Sequence, residues 1–116
     1  LELIKKNLVN SVHDISTGGL IIALSEMCIG SNLGIKIEKP KKMHNLFEYF
    51  YGEDQGRYVV EIEAKNLNKI QKLLKDNNIF NDVIGKVQKE YFELTDEFKI
   101  SIKELYNLNN KWYYNY

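Results

Sequence analysis

The sequence predicts an α+β domain in two layers, a mixed or antiparallel sheet with helices packed on it. Three observations predict it. Leu20 to Ile29 is apolar on most sides, as a central helix is. Arg57 to Glu63 alternates, with Tyr58, Val60 and Ile62 on one side and Val59 and Glu61 on the other, which reads as an inner strand. Tyr91 to Thr95 and Phe98 to Ile102 read as a hairpin across Asp96-Glu97, so part of the sheet is antiparallel.

The elements follow in chain order. Leu1 to Asn10 reads as a short helix with Leu1, Ile4 and Leu8 on one face. Ser11 to Gly19 reads as a polar loop. The apolar helix begins at once and is stopped by Gly30 to Asn32. Leu33 to Glu38 alternates as a strand, and the lone proline, Pro40, sits in the loop after it. Met43 to Tyr51 predicts a helix, and Gly52 to Gly56 a turn. Asn66 to Asn77 is amphipathic, with Leu67, Ile70, Leu73 and Leu74 inward. Val83 to Gln88 reads as a strand. Ser101 caps a last helix, with Glu104 three residues on, as in a capping box.

The 116 residues suffice for one domain, 1–116, and not for two. Lys plus Arg and Asp plus Glu are equal at 16 each, a balance that argues against a nucleic-acid-binding domain. No apolar run nears the roughly 18 residues of a membrane span, and no signal peptide pattern is present. Cys28 has no cysteine to pair with and reads as a small buried hydrophobe. These features fit a cytoplasmic setting. The start Leu1-Glu2-Leu3, without an initiator methionine, predicts the C-terminal fragment of a larger protein. The aromatic end Trp112-Tyr113-Tyr114-Asn115-Tyr116 predicts docking on this domain or a neighbour.

Two polar clusters carry the candidate chemistry. In the first, His13, Asp14, Ser16 and Thr17 precede Gly18 and Gly19, and the apolar helix follows directly. A loop running into a helix offers unpaired backbone N–H groups at the positive end of the helix dipole, which suits an anion such as phosphate. The plain alternative is a turn in which Ser16 or Thr17 caps the helix. No phosphate-loop or dinucleotide fingerprint accompanies it. In the second, Gly52-Glu53-Asp54-Gln55-Gly56-Arg57 places two acids, an amide and the only arginine of the chain before a strand. Arg57 offers a fork of donors for carboxylate or phosphate. Glu53 and Asp54 are of a type that holds a divalent cation or a ribose hydroxyl. The plain alternative is a turn in which Arg57 pairs with Asp54 or Glu53. His13 and His44 lack metal-ligand spacing, and no Ser–His–acid arrangement is readable, so no catalytic or metal-ligating residue is assigned. Phe47, Tyr49, Phe50 and Tyr51 read as core or interface.

These segments resemble the C-terminal domain of the aminoimidazole ribonucleotide synthetase superfamily. His13-Asp14-Ile15-Ser16-Thr17-Gly18-Gly19-Leu20 is similar to its H-D-[VI]-S-[DT]-G-G-L segment, and Ala23-Leu24-Ser25-Glu26-Met27 to the continuation. Phe50 to Val60 is similar to F-[FW]-G-E-[DS]-Q-[GA]-R-[YF]-V-V, and Val83-Ile84-Gly85-Lys86-Val87 to a later strand. The ending, Ile100 to Leu105 and then Trp112, is similar to that of the family's phosphoribosylformylglycinamidine synthase branch. The family often has aspartate where Thr17 stands.

The resemblance implies a purine-biosynthesis ligase that converts formylglycinamide ribonucleotide, ATP and glutamine-derived ammonia to the amidine. It implies ATP and Mg as cofactors of the parent, and as partners the remaining parent domains and a glutaminase domain or subunit. It also implies that this domain lends loops to a cleft, with His13, Asp14, Ser16, Gly18, Gly19, Glu53, Asp54, Gln55 and Arg57 as phosphate- or substrate-binding candidates. The fragment by itself is then expected to be inactive. The alternatives are a sister enzyme of the superfamily (aminoimidazole ribonucleotide synthetase, selenophosphate synthetase, thiamine-monophosphate kinase) or a non-catalytic interaction domain.

Overall fold

A computed structural model describes residues 1–39 and 45–111. The elements are α1 (Glu2–Lys5), β1 (Ser11–Asp14), α2 (Gly19–Ser31), β2 (Gly34–Ile37), α3 (Leu46–Tyr51), β3 (Tyr58–Glu61), α4 (Leu67–Asp76), β4 (Gly85–Gln88), β5 (Tyr91–Leu94), β6 (Phe98–Ser101) and α5 (Ile102–Lys111). The class is α+β, as expected. A four-stranded mixed sheet runs in the order β4-β2-β5-β6, with β2 and β5 parallel and the outer pairings antiparallel. A separate antiparallel ribbon pairs β1 with β3, Val12 opposite Val60 and Asp14 opposite Tyr58.

The apolar character of α2 on most sides has a direct cause in the packing. One cluster joins Leu20, Ala23, Leu24 and Cys28 of α2 with Ile37, Phe92 and Leu94 of the sheet, Phe50 of α3, Val59 of β3 and Ile102 of α5. Elements thus meet α2 on several flanks, and Leu24 is only 2% exposed. The helix runs through Gly30 and closes at Asn32, which adopts φ 54° and donates its N–H to the last carbonyls.

Local rules explain the remaining ends. Asn45 Oδ1 accepts from Phe47 N at 2.9 Å and starts α3. Ser101 Oγ accepts from Glu104 N at 3.1 Å and starts α5, as the capping pattern predicted. Asp96, at φ 64°, turns the β5–β6 hairpin. On α4, Ile70 is buried and Leu67, Leu73 and Leu74 are half-buried.

Four expectations are corrected. Ser11 to Asp14 is a strand and not part of the loop, because β3 supplies its backbone partners from far along the chain. The segment at Arg57 is not an inner strand among the described residues: there β3 pairs with β1 alone, with Val59 buried and Tyr58 and Val60 exposed. Alternation marks burial on one face, which an outlying ribbon satisfies as well as a central strand. The first helix ends at Lys5, and Asn7 turns the chain at φ 52° so that Leu8 enters the interior. The strand expected from Val83 starts at Gly85, opposite the end of β2 at Ile37, and the Val83 N–H donates to Asp82 Oδ1 at 2.8 Å instead of to a ladder. His44, Met43 and the aromatic end from Trp112 lie outside the described residues.

Candidate functional site

β1 carries His13 and Asp14, and the buried Ile15 anchors the chain as it leaves the strand. Ile15 N donates to Arg57 O at 2.9 Å, so the start of the first cluster is pinned to the end of the second. Ser16 and Thr17 are exposed beyond it. Gly18 then takes φ 85° as the N-cap of α2, and Gly19 takes φ 73° with its N–H on Ser16 O at 3.0 Å. Left-handed φ at two successive positions is what glycine permits and other residues resist. At Gly19 space adds its own demand, because a Cβ there would stand 2.6 Å from Phe50 O and 2.7 Å from Tyr51 Cα.

The two clusters therefore form one surface. Glu53 Oε1 accepts from Gly18 N at 2.8 Å, across 35 residues. Arg57 Nη1 donates to Asp54 Oδ2 at 2.9 Å, and its guanidinium carbon lies 5.7 Å from the centre of the Tyr49 ring. The plain reading of the second cluster, an Arg57–Asp54 pair, is what the geometry shows. Neither Ser16 nor Thr17 caps α2; the carboxylate of Glu53 reaches the helix start instead. Among the described residues the Ser16 hydroxyl and the Gln55 amide have no protein partner.

His13 faces acceptors on both ring nitrogens. Nδ1 is 2.6 Å from Asp14 O and 3.9 Å from Asp14 Oδ1, and Nε2 is 3.1 Å from Glu26 Oε2. Burial pushes the Tyr49 phenol above its ordinary range, with Asp82 adding to the shift and Arg57 opposing it. Burial likewise pushes the Cys28 thiol up to about 11, with a smaller contribution from Glu61, so it is an inert apolar group.

Glu26 and Tyr49 belong to this surface although neither is among the phosphate- or substrate-binding candidates; Tyr49 reads in the sequence as core or interface. The signal for Glu26 was its place on the helix directly after the glycines, on the side that returns to β1. Among the described residues no group of three or more His, Cys, Asp or Glu side chains could hold a metal ion. Glu53 and Asp54 are each engaged within the chain, so these residues do not fit a magnesium site of their own. No described helix is long and apolar enough to cross a membrane.

Residues 1–97 match the family described as AIR synthase related protein, C-terminal domain. The chain is 40% identical over 116 residues to the phosphoribosylformylglycinamidine synthase subunit PurL of Pelagibacter ubique (strain HTCC1062), covering 100% of this chain and 16% of that protein. It is 40% identical over 114 residues to the PurL subunit of Sinorhizobium fredii (strain HH103), covering 98% and 15%. The fold is shared with the structure of PurLQS from Thermotoga maritima, at a TM-score of 0.78 and 22% identity, over 91% of this chain and 20% of that one. It is also shared with T. maritima PurL complexed with ATP, at a TM-score of 0.76 and 22% identity, again over 91% and 20%. The chain thus spans about a sixth of the curated relatives it matches. A family match over most of its length, together with the two glycine-bearing clusters joined in one surface, settles its membership: the chain belongs to the AIR synthase related protein, C-terminal domain, family.

Proposed function

We propose that this chain is the C-terminal domain of a phosphoribosylformylglycinamidine synthase acting in purine biosynthesis. The parent ligase uses ATP to join ammonia to formylglycinamide ribonucleotide, in a cytoplasmic setting. The observation that carries this reading is the junction of the two clusters through Gly18 and Glu53, set in a chain that along its whole length is similar to about a sixth of a PurL subunit. The domain lends a shaped face to the parent's cleft and is not a complete active site.

Within that face the candidates divide by what they touch. Gly18, Gly19, Glu53, Asp54 and Arg57 fix its shape through contacts inside the chain. His13 is held between Asp14 and Glu26. Asp14, Ser16 and Gln55 are exposed and project the polar groups that meet a phosphate or substrate. ATP chemistry and any magnesium ligands belong to the remaining domains of the parent, and ammonia comes from a glutaminase domain or subunit.

The test is an assay of the intact protein for ATP-dependent formation of the amidine from formylglycinamide ribonucleotide and ammonia. Activity that disappears when Asp14, Ser16 and Gln55 are replaced together, with the fold intact, supports the reading. Activity indifferent to that triple replacement overturns the role of this face. Calorimetric titration of the 116-residue chain with Mg-ATP is expected to show no low-micromolar binding.

A further inference from the structure

The start of α2 has an electrostatic gap in its own sequence. The helix is 13 residues long, its first turn contains no acidic residue, and its N-cap makes no side-chain hydrogen bond. The positive end of a dipole of that length is uncompensated locally. Glu53 fills the gap from outside the helix, with Oε1 2.8 Å from Gly18 N. The other glycine amide, on Gly19, is already spent on Ser16 O at 3.0 Å. Two further contacts fix the same junction independently, the Ile15 N–H on Arg57 O and the close approach of Gly19 to the Phe50 carbonyl.

We propose that Glu53 is a positioning residue that serves as the built-in anion of the glycine loop, holding the loop to the acidic turn and keeping inorganic phosphate out of it. A charge-assisted N–H to carboxylate bond is about twice as strong as a neutral one. The carboxylate is also tethered, so it competes at an effective concentration of millimolar order or above, which free phosphate below that level does not match. The loop is therefore a latch between two segments of one chain, with its shape set before any ligand arrives. Ligand groups meet the exposed side chains beside it. The role in turnover rests on the reading under Proposed function; the latch itself rests on geometry alone.

The experiment follows the Gly18 amide in the intact protein. Thr17-Gly18 is the only Thr-Gly step in these 116 residues; carbonyl-labelled threonine with nitrogen-labelled glycine selects Thr-Gly amides in the intact protein, and the signal lost in Thr17→Ser is that of Gly18. Inorganic phosphate at a tenth of a millimolar or less, about tenfold below that effective concentration, is expected to leave this resonance unmoved in the wild type. In Glu53→Gln, which keeps an acceptor of the same shape and removes the charge, the phosphate needed for half the shift is expected to fall at least tenfold. In Glu53→Ala, either phosphate or acetate is expected to restore the wild-type amide position. Phosphate moving the wild-type resonance as readily as that of Glu53→Gln overturns the proposal. A Gly18 amide in Glu53→Gln that phosphate leaves as unmoved as in the wild type also overturns it. These readouts do not involve amidine synthesis, so failure of the functional reading leaves them standing, and their failure leaves that reading standing.

Discussion

His13 Nε2 stands 3.1 Å from Glu26 Oε2, which ties strand β1 to helix α2. The Glu26 side chain is 58% exposed, so solvent screens the pair. A double-mutant cycle with His13→Ala and Glu26→Ala should give a coupling below about 1 kcal/mol. Raising the salt to about 1 M, where the screening length is near 3 Å, should abolish most of it. Denaturant unfolding of the four proteins at two salt concentrations measures both quantities.

Gly19 and Gly56 both sit in the left-handed region, at φ 73° and φ 77°, but their surroundings differ. Space around Gly56 is open, whereas a Cβ at Gly19 meets the backbone of α3. Gly56→Ala should cost about 1–2 kcal/mol, the conformational penalty alone. Gly19→Ala should cost that plus a further ~1–3 kcal/mol of overpacking. Thermal midpoints of the two variants decide it, and equal losses would show that the close approach to Phe50 is not a constraint.

The unfolded Cys28 thiol releases its proton near 9.0, while the folded one holds it to about 11. Between those values the folded state binds more protons, so stability falls as pH rises. The fall should begin near pH 9 and level off near pH 11, and it should amount to a loss of about 3 kcal/mol. Tyr49 shifts in the same direction, so the comparison that isolates the thiol is the wild type against Cys28→Ala. A disulfide-exchange reagent at pH 8 should likewise label Cys28 only on unfolding.

Arg57→Lys keeps the charge and loses the planar fork that reaches Asp54. The Asp54 carboxylate is 68% exposed, so the change should shift stability by less than about 1 kcal/mol. Turnover of the intact parent should fall at least ~tenfold, about 1.4 kcal/mol in barrier. Steady-state kinetics beside a melting curve separate the two effects, and unchanged turnover would reduce Arg57 to the holder of an exposed turn.

Much of this architecture is legible in the residues. Leu20 to Ile29 is apolar enough that only a buried helix explains it, and Ser101 with Glu104 announces the start of α5. What escapes are features decided by partners distant in sequence. Ser11 to Asp14 holds one apolar residue, so its strand exists because β3 offers a ladder. Tyr58 to Glu61 shows its period clearly, yet period alone does not say how many strands lie beside it. In the site, each cluster reads locally as a loop or a turn. The bond from Gly18 to Glu53 has no local signature, because a carboxylate that caps a helix from 35 residues away obeys no spacing rule. The family likeness placed both clusters in one domain, and the geometry supplied the contact.

The parallel pairing of β2 with β5, Ile37 beside Leu94, sits at the centre of the four-stranded sheet. Residues 38–90 lie between the two strands. On a ribosome adding about 5–20 residues per second, β2 emerges roughly 3–10 seconds before the strand that completes it. Throughout that interval Ile35 and Ile37 border an edge of unpaired amides, the kind of surface that recruits foreign strands. The centre of the sheet accordingly waits for β5 to be made, and a chain cut short before Tyr91 leaves β2 without its parallel partner, a template for aggregation.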